Sequence, residues 1–144
     1  LRLAVLRPDL AHAVVLAAPT GEAGPFRWLA QLVGLARTAP REPARLVARV
    51  LRHYATTPPS RTIGSWFGAR RHDVLADADA CACPVLVVAG GRDPVVSEDF
   101  CRHVAARAPH GTCIVVSGSA HGVALDPAEP FCRILLRFLG AGHR

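Results

Sequence analysis

The feature that most constrains this chain is the run Pro84 to Ala89, Pro-Val-Leu-Val-Val-Ala, which is apolar at every position and rich in β-branched residues. A half-solvated strand alternates polar and apolar residues, so a run without alternation calls for a strand covered on both faces, as in the middle of a parallel sheet. Two further segments fit around it. Ser97, Glu98 and Asp99 supply an N-cap and first-turn acids for a helix carrying Phe100, Val104 and Ala105. Thr112 to Val116 then reads as the next strand. Strand, helix, strand is a parallel crossover. A final helix is expected from Asp126 and Pro127 through Phe131, Ile134, Leu135 and Phe138 to Gly140, because it opens with a capping residue, Pro at the first helical position and Glu129 at the third.

The beginning of the chain repeats the theme. Leu1 to Leu6 is the tail of a helix that stops at Arg7 and Pro8, and His12 to Ala18 is a short buried strand closed by Pro19, Thr20 and Gly21. We expect this strand to present an unpaired apolar edge. Between about 24 and 80 the periodicity becomes helical and is broken by Pro40 and by Pro58 and Pro59. One stretch carries Phe26, Leu29, Leu32, Val33, Leu35 and Ala36, and the other Leu46, Val47, Val50, Leu51 and Tyr54. In the second, Arg41, Arg45, Arg49 and Arg52 share one face, which reads as a solvated surface.

Composition narrows the function classes. The 144 residues are 51% hydrophobic, ample for a folded core, and the longest apolar runs fall far short of the roughly 20 residues that span a bilayer. A soluble protein without a membrane partner is expected. The 17 basic residues are all arginine and are spread from Arg2 to Arg144 with only 6% aromatics, which argues against a nucleic-acid partner. Cysteines 81, 83, 101, 113 and 132 cannot all pair, and Cys81 and Cys83 lack C-x-x-C spacing, so a reducing, cytoplasmic compartment is expected. His12, His53, His72, His103, His110 and His143 show no ligand spacing for a metal. The chain starts at Leu1 and contains no methionine, from which we expect a segment upstream.

In an open parallel sheet, chemistry gathers in the loops beyond the carboxyl ends of the strands. Asp93, in the loop Gly90 to Pro94, and His121, in the loop Ser117 to Gly122, occupy two such loops. Neighbouring strands lie about 4.8 Å apart, so the loops should emerge side by side and let Asp93 hydrogen-bond His121. A carboxylate on an imidazole is two-thirds of a nucleophile machine. Read alone, Asp93 is a turn former and His121 an ordinary loop histidine; their joint placement makes them candidates. The third member is lacking, because no G-x-S-x-G occurs. The segments 64–68 and 118–122 each misplace a serine by one residue, and Ser117 and Ser119 do not sit at a strand-to-helix turn. Asp126 reads as a helix cap.

The segment Pro84 to Val96 with Asp93, the Ser119 to Gly122 segment with His121, and Asp126 to Phe131 before a closing helix together resemble the C-terminal half of an α/β-hydrolase. Arg7 to Leu10 ahead of His12 to Pro19 is similar to the segment after the nucleophile-bearing helix of that family. The resemblance implies an α/β fold: the C-terminal part of an α/β-hydrolase-type, mostly parallel sheet with an inserted helical cap. It divides the chain into 1–19 (helix end and one core strand), 20–80 (cap) and 81–144 (C-terminal core). It implies Asp93 as the triad acid and His121 as the base, with a serine upstream, roughly five to ten residues before Leu1, and the oxyanion hole also outside the chain. The expected activity is hydrolysis of an ester-like carbonyl substrate, with no cofactor and with the isolated chain inactive and poorly soluble. Epoxide hydrolases, dehalogenases and carbon–carbon hydrolases share the scaffold, and a non-catalytic binding remnant is the reading from another class. Phe26, Trp28, Leu32, Tyr54, Trp66 and Phe67 would either line a pocket for an apolar small molecule or form the core of the cap.

Overall fold

The computed structural model describes residues 1–20, 27–125 and 128–141. Three parallel strands, β1 (Val14–Ala17), β2 (Val85–Gly90) and β3 (Gly111–Val116), form one sheet in the order β1-β2-β3. The register pairs Val14 with Val85 on one side of β2, and Val85 with Gly111 on the other. All six residues of β2 are buried, as its unbroken apolar run demands. β1 stands at one end of the sheet, so its second edge carries no strand among the described residues.

Alternate residues of β2 serve different layers. Val85, Val87 and Ala89 face a core shared with α1 (Arg2–Leu6), α5 (Val74–Asp79) and α6 (Glu98–Arg107), through Ala4, Val74, Ala78, Phe100, Cys101 and Val104. Leu86 and Val88 face the other way, onto Val123 and the Phe131, Ile134 and Phe138 stripe of α7 (Ala128–Ala141). Helices on both sides are what relieve the central strand of any need for polar residues.

Local chemistry sets the boundaries. Ser97 caps α6, its Oγ accepting the Phe100 N–H at 3.1 Å, with Glu98 and Asp99 in the first turn. Asp73 caps α5 by accepting from Ala76 at 3.0 Å. The cap expected at Asp126 and Pro127 lies outside the described residues; the helix they would open is present from Ala128.

The middle of the chain is helical: α2 (Arg27–Thr38), a 3-10 turn at Ala39–Arg41, α3 (Ala44–Thr56), α4 (Pro59–Arg71) and α5. Two details differ from the sequence reading. Arg41 is not on the helix of Arg45, Arg49 and Arg52, because Pro43 delays α3 to Ala44; Arg41 belongs to the preceding turn and donates to the Arg37 carbonyl. All four arginines are nevertheless exposed. Pro58 and Pro59, read as a terminator, also open a helix, since proline at the first position has no N–H to lose. Leu32, Tyr54 and Phe67 are about half exposed, so they do not form a buried cap core. Phe26 and the side chains of Trp28 and Trp66 lie outside the described part. Among the described residues no helix is long and apolar enough to cross a membrane.

Candidate active site

The loops after β2 and β3 leave the same edge of the sheet and are tied by backbone hydrogen bonds: Gly91 N–H to the Val116 carbonyl at 3.0 Å and Arg92 N–H to that of Ser119 at 2.9 Å. Within the first loop the Asp93 side chain folds onto its own backbone, Oδ1 accepting from Val95 at 2.7 Å and Val96 at 3.2 Å. Such an Asx turn is a common use of aspartate before proline. Here it also orients the second oxygen. Oδ2 lies 2.9 Å from Nδ1 of His121, with the Asp93 side chain 1% exposed and that of His121 29% exposed.

The choice of ring nitrogen carries chemical meaning. A carboxylate only accepts, so Nδ1 holds the proton and donates it to Asp93, which leaves the Nε2 lone pair of a neutral ring available. A fixed tautomer whose Nε2 has no hydrogen-bond partner among the described residues is the arrangement of a general base. The two residues singled out from loop position are therefore brought together, whereas Ser119 is buried and contributes its backbone to the loop contact.

Two features escaped the sequence reading. The first is a clamp from the helical segment: Thr38 Oγ1 accepts the His121 N–H at 3.5 Å, and Glu42 Oε1 accepts the Gly122 N–H at 2.6 Å. These partners stand 83 and 80 residues apart, and Glu42 lies in an irregular Pro-Arg-Glu-Pro stretch with no periodic signal. The second is another histidine–aspartate pair. His72 Nε2 sits 2.7 Å from Asp77 Oδ2, and Arg2 donates to Asp77 Oδ1 at 2.9 Å. Burial pushes the Asp77 carboxyl up, but hydrogen bonds from His72 and Arg2, with their charges, outweigh it and hold the group below its ordinary range.

Elsewhere, a groove of about 520 Å³ between α3 and α4 is lined by His53, Tyr54, Arg61 and Ser65 among others, and includes neither Asp93 nor His121. Cys81 and Cys83 bring their sulfurs to 3.6 Å without a disulfide, and none of the five cysteines is in a disulfide. Burial, first, and then the Cys81 thiol raise the Cys83 pKa. Among the described residues no group of three or more His, Cys, Asp or Glu is placed to hold a metal ion.

No protein-family model matches the sequence, and no curated protein is similar to it. Solved structures do match. A thermophilic esterase from Thermogutta terrifontis is similar over 98% of this chain and 60% of its own length, with a TM-score of 0.78 at 15% identity. Est816, described as an N-acyl homoserine lactone degrading enzyme, matches over 95% of this chain and 61% of its own, at a TM-score of 0.77 and 18% identity. A hydrolase from Pseudomonas aeruginosa PA01 matches over 96% and 59%, at 0.73 and 24%. The chain thus spans about 60% of the length of these structures. The fold is α/β, corresponding to the C-terminal part of an α/β-hydrolase-type sheet.

Proposed function

We propose that this chain is the cap-bearing C-terminal part of a serine-type α/β-hydrolase, in which Asp93 and His121 act as acid and base on a nucleophile supplied by residues outside this chain. The observation that carries the reading is the 2.9 Å contact between a fully buried Asp93 carboxylate and Nδ1, rather than Nε2, of a partly exposed His121. In this role His121 takes the serine proton through Nε2 as the hydroxyl oxygen attacks a carbonyl carbon, then returns it to the leaving group; Asp93 stabilises the imidazolium. Water repeats the cycle on the acyl-enzyme. Residues 20–80 form the cap, with α5 anchored against α1 and α6 of the core.

An ester or lactone with an apolar acyl part is the substrate class we favour, supported by exposed Leu32, Tyr54 and Phe67 on the helical segment and by the esterase and lactone-degrading activities of two structural neighbours. No nucleic acid, membrane or cofactor enters this reading, and a cytoplasmic setting fits five cysteines outside any disulfide. An aspartate nucleophile, as in dehalogenases, would keep Asp93 and His121 in the same places and change the bond cleaved.

The test is direct. The chain 1–144 alone should hydrolyse a nitrophenyl ester no faster than free imidazole, while the full-length polypeptide should turn it over and be labelled stoichiometrically by a serine-directed organophosphonate. Rapid turnover by 1–144 alone, or a full-length protein that neither hydrolyses the ester nor takes the label, would overturn the proposal.

A further inference from the structure

The helical segment meets both site loops through the stretch 34–46. Thr38, the last residue of α2, is 9% exposed; its hydroxyl accepts the His121 backbone N–H at 3.5 Å and donates to Glu42 Oε1 at 3.4 Å. The same Glu42 oxygen accepts the Gly122 N–H at 2.6 Å. Two consecutive amides of the histidine loop, which the sheet cannot satisfy because β3 has ended at Val116, thus find their acceptors on the helical segment. One turn before Thr38, Gly34 lies so close to the Pro94 carbonyl and to Val95 of the aspartate loop that a Cβ would not fit. On the other side, a Cβ at Gly122 would stand 2.7 Å from Leu46 Cδ2 and 3.0 Å from Glu42 Oε2. The stretch 34–46 is therefore in van der Waals contact with the loops of both Asp93 and His121.

A hydrogen bond from imidazole to carboxylate depends on the relative position of two loops, and loops are the part of a fold least able to hold a position by themselves. We infer that Thr38 and Glu42 are positioning residues: they fix the backbone at His121 and Gly122 so that the imidazole stays on Asp93, and they make the base competent only when the helical segment is seated. This inference rests on the reading of Asp93 and His121 as acid and base. It adds a coupling between substrate-side cap and proton transfer that the pair alone does not contain. The contact requires an acceptor on residue 42 rather than a negative charge, since the partner is a neutral amide.

The experiment uses the full-length polypeptide, a nitrophenyl ester, and the variants Glu42→Ala, Glu42→Gln, Thr38→Val and His121→Ala. Glu42→Ala should lower kcat by about 10- to 100-fold, the scale of a displacement of roughly 1 Å in a catalytic group, with KM changed less than about 3-fold. Glu42→Gln, whose amide oxygen still accepts the Gly122 N–H, should recover most of the rate. The low-field proton resonance of His121 Nδ1 should broaden or move in Glu42→Ala and persist in Glu42→Gln. Thr38→Val, which keeps the shape of the side chain, should lower kcat by a few-fold and decides the matter if Glu42→Ala does not fold. If His121→Ala retains activity, the acid–base reading fails. If His121→Ala is inactive while Glu42→Ala or Thr38→Val keeps wild-type kcat and an unchanged resonance, the coupling is wrong; a Glu42→Gln variant as impaired as Glu42→Ala likewise sinks the hydrogen-bond account.

Discussion

Among the described residues two histidine–aspartate pairs of similar length occur, 2.9 Å at His121 and Asp93 and 2.7 Å at His72 and Asp77, and their surroundings give them opposite characters. At the strand ends, the second oxygen of Asp93 is occupied by neutral backbone amides, so the carboxylate charge remains available to the imidazole, which engages it through Nδ1 and leaves Nε2 without a partner among the described residues. At α5, the second oxygen of Asp77 is held by the Arg2 guanidinium, and His72 spends its Nε2 on the contact. The lesson is that a short contact between imidazole and carboxylate does not define a site. Position at the sheet edge, the ring nitrogen used and the competition for the carboxylate separate a candidate base from a tie between α1 and α5.

The largest difference between the pairs should appear in turnover. In the full-length polypeptide, His121→Ala should reduce kcat for an ester by about 10⁵-fold, whereas His72→Ala should leave it within about 2-fold. Equal losses in the two variants would erase the distinction. A narrower cut is made at the carboxylates. Asp93→Asn keeps an acceptor oxygen for Val95 or Val96 but presents the wrong partner to Nδ1, and should cost on the order of 10⁴ in kcat; the matching change Asp77→Asn should cost less than about 3-fold. The smallest effect concerns stability. Asp77→Ala should lower the unfolding free energy by about 1–3 kcal/mol in a urea titration. It should not reach the upper end for buried pairs, because the abandoned partners, Arg2 at 61% and His72 at 33% side-chain exposure, can return to water.

The same residue gives the pH dependence a sign. Asp77 is held below the ordinary carboxylate range in the folded protein, so the unfolded chain binds its proton more readily than the folded one. Its stabilisation is complete above a pH of about 4 and is lost as pH falls further, through the depressed folded value. The difference in urea midpoint between the parent and Asp77→Asn should accordingly shrink between pH 7 and pH 3.

Much of this architecture was legible because it is encoded locally. The β-branched run 85–88, the Ser97 cap and the apolar stripe of the last helix each state their structure within a few residues, and loop position alone singled out Asp93 and His121. What was not legible depends on contacts across the chain. Glu42 sits between prolines with no periodic neighbours, and nothing near it in sequence announces that it accepts an amide 80 residues away. Arg2 and Asp77 are separated by 75 residues. The proline pair at 58 and 59 misled in a different manner, since the chemistry that ends one helix also suits the start of the next.

The sequence by itself determined the class of the sheet and the edge on which chemistry could gather, because burial of a strand on both faces and the capping of a helix are short-range demands on residue type. Only the tertiary structure decided which of two aspartates leaves a histidine with a free Nε2, and which part of the helical segment grips the histidine loop. Those outcomes depend on ångström-scale placement of groups far apart in the chain, which no local pattern of residues specifies.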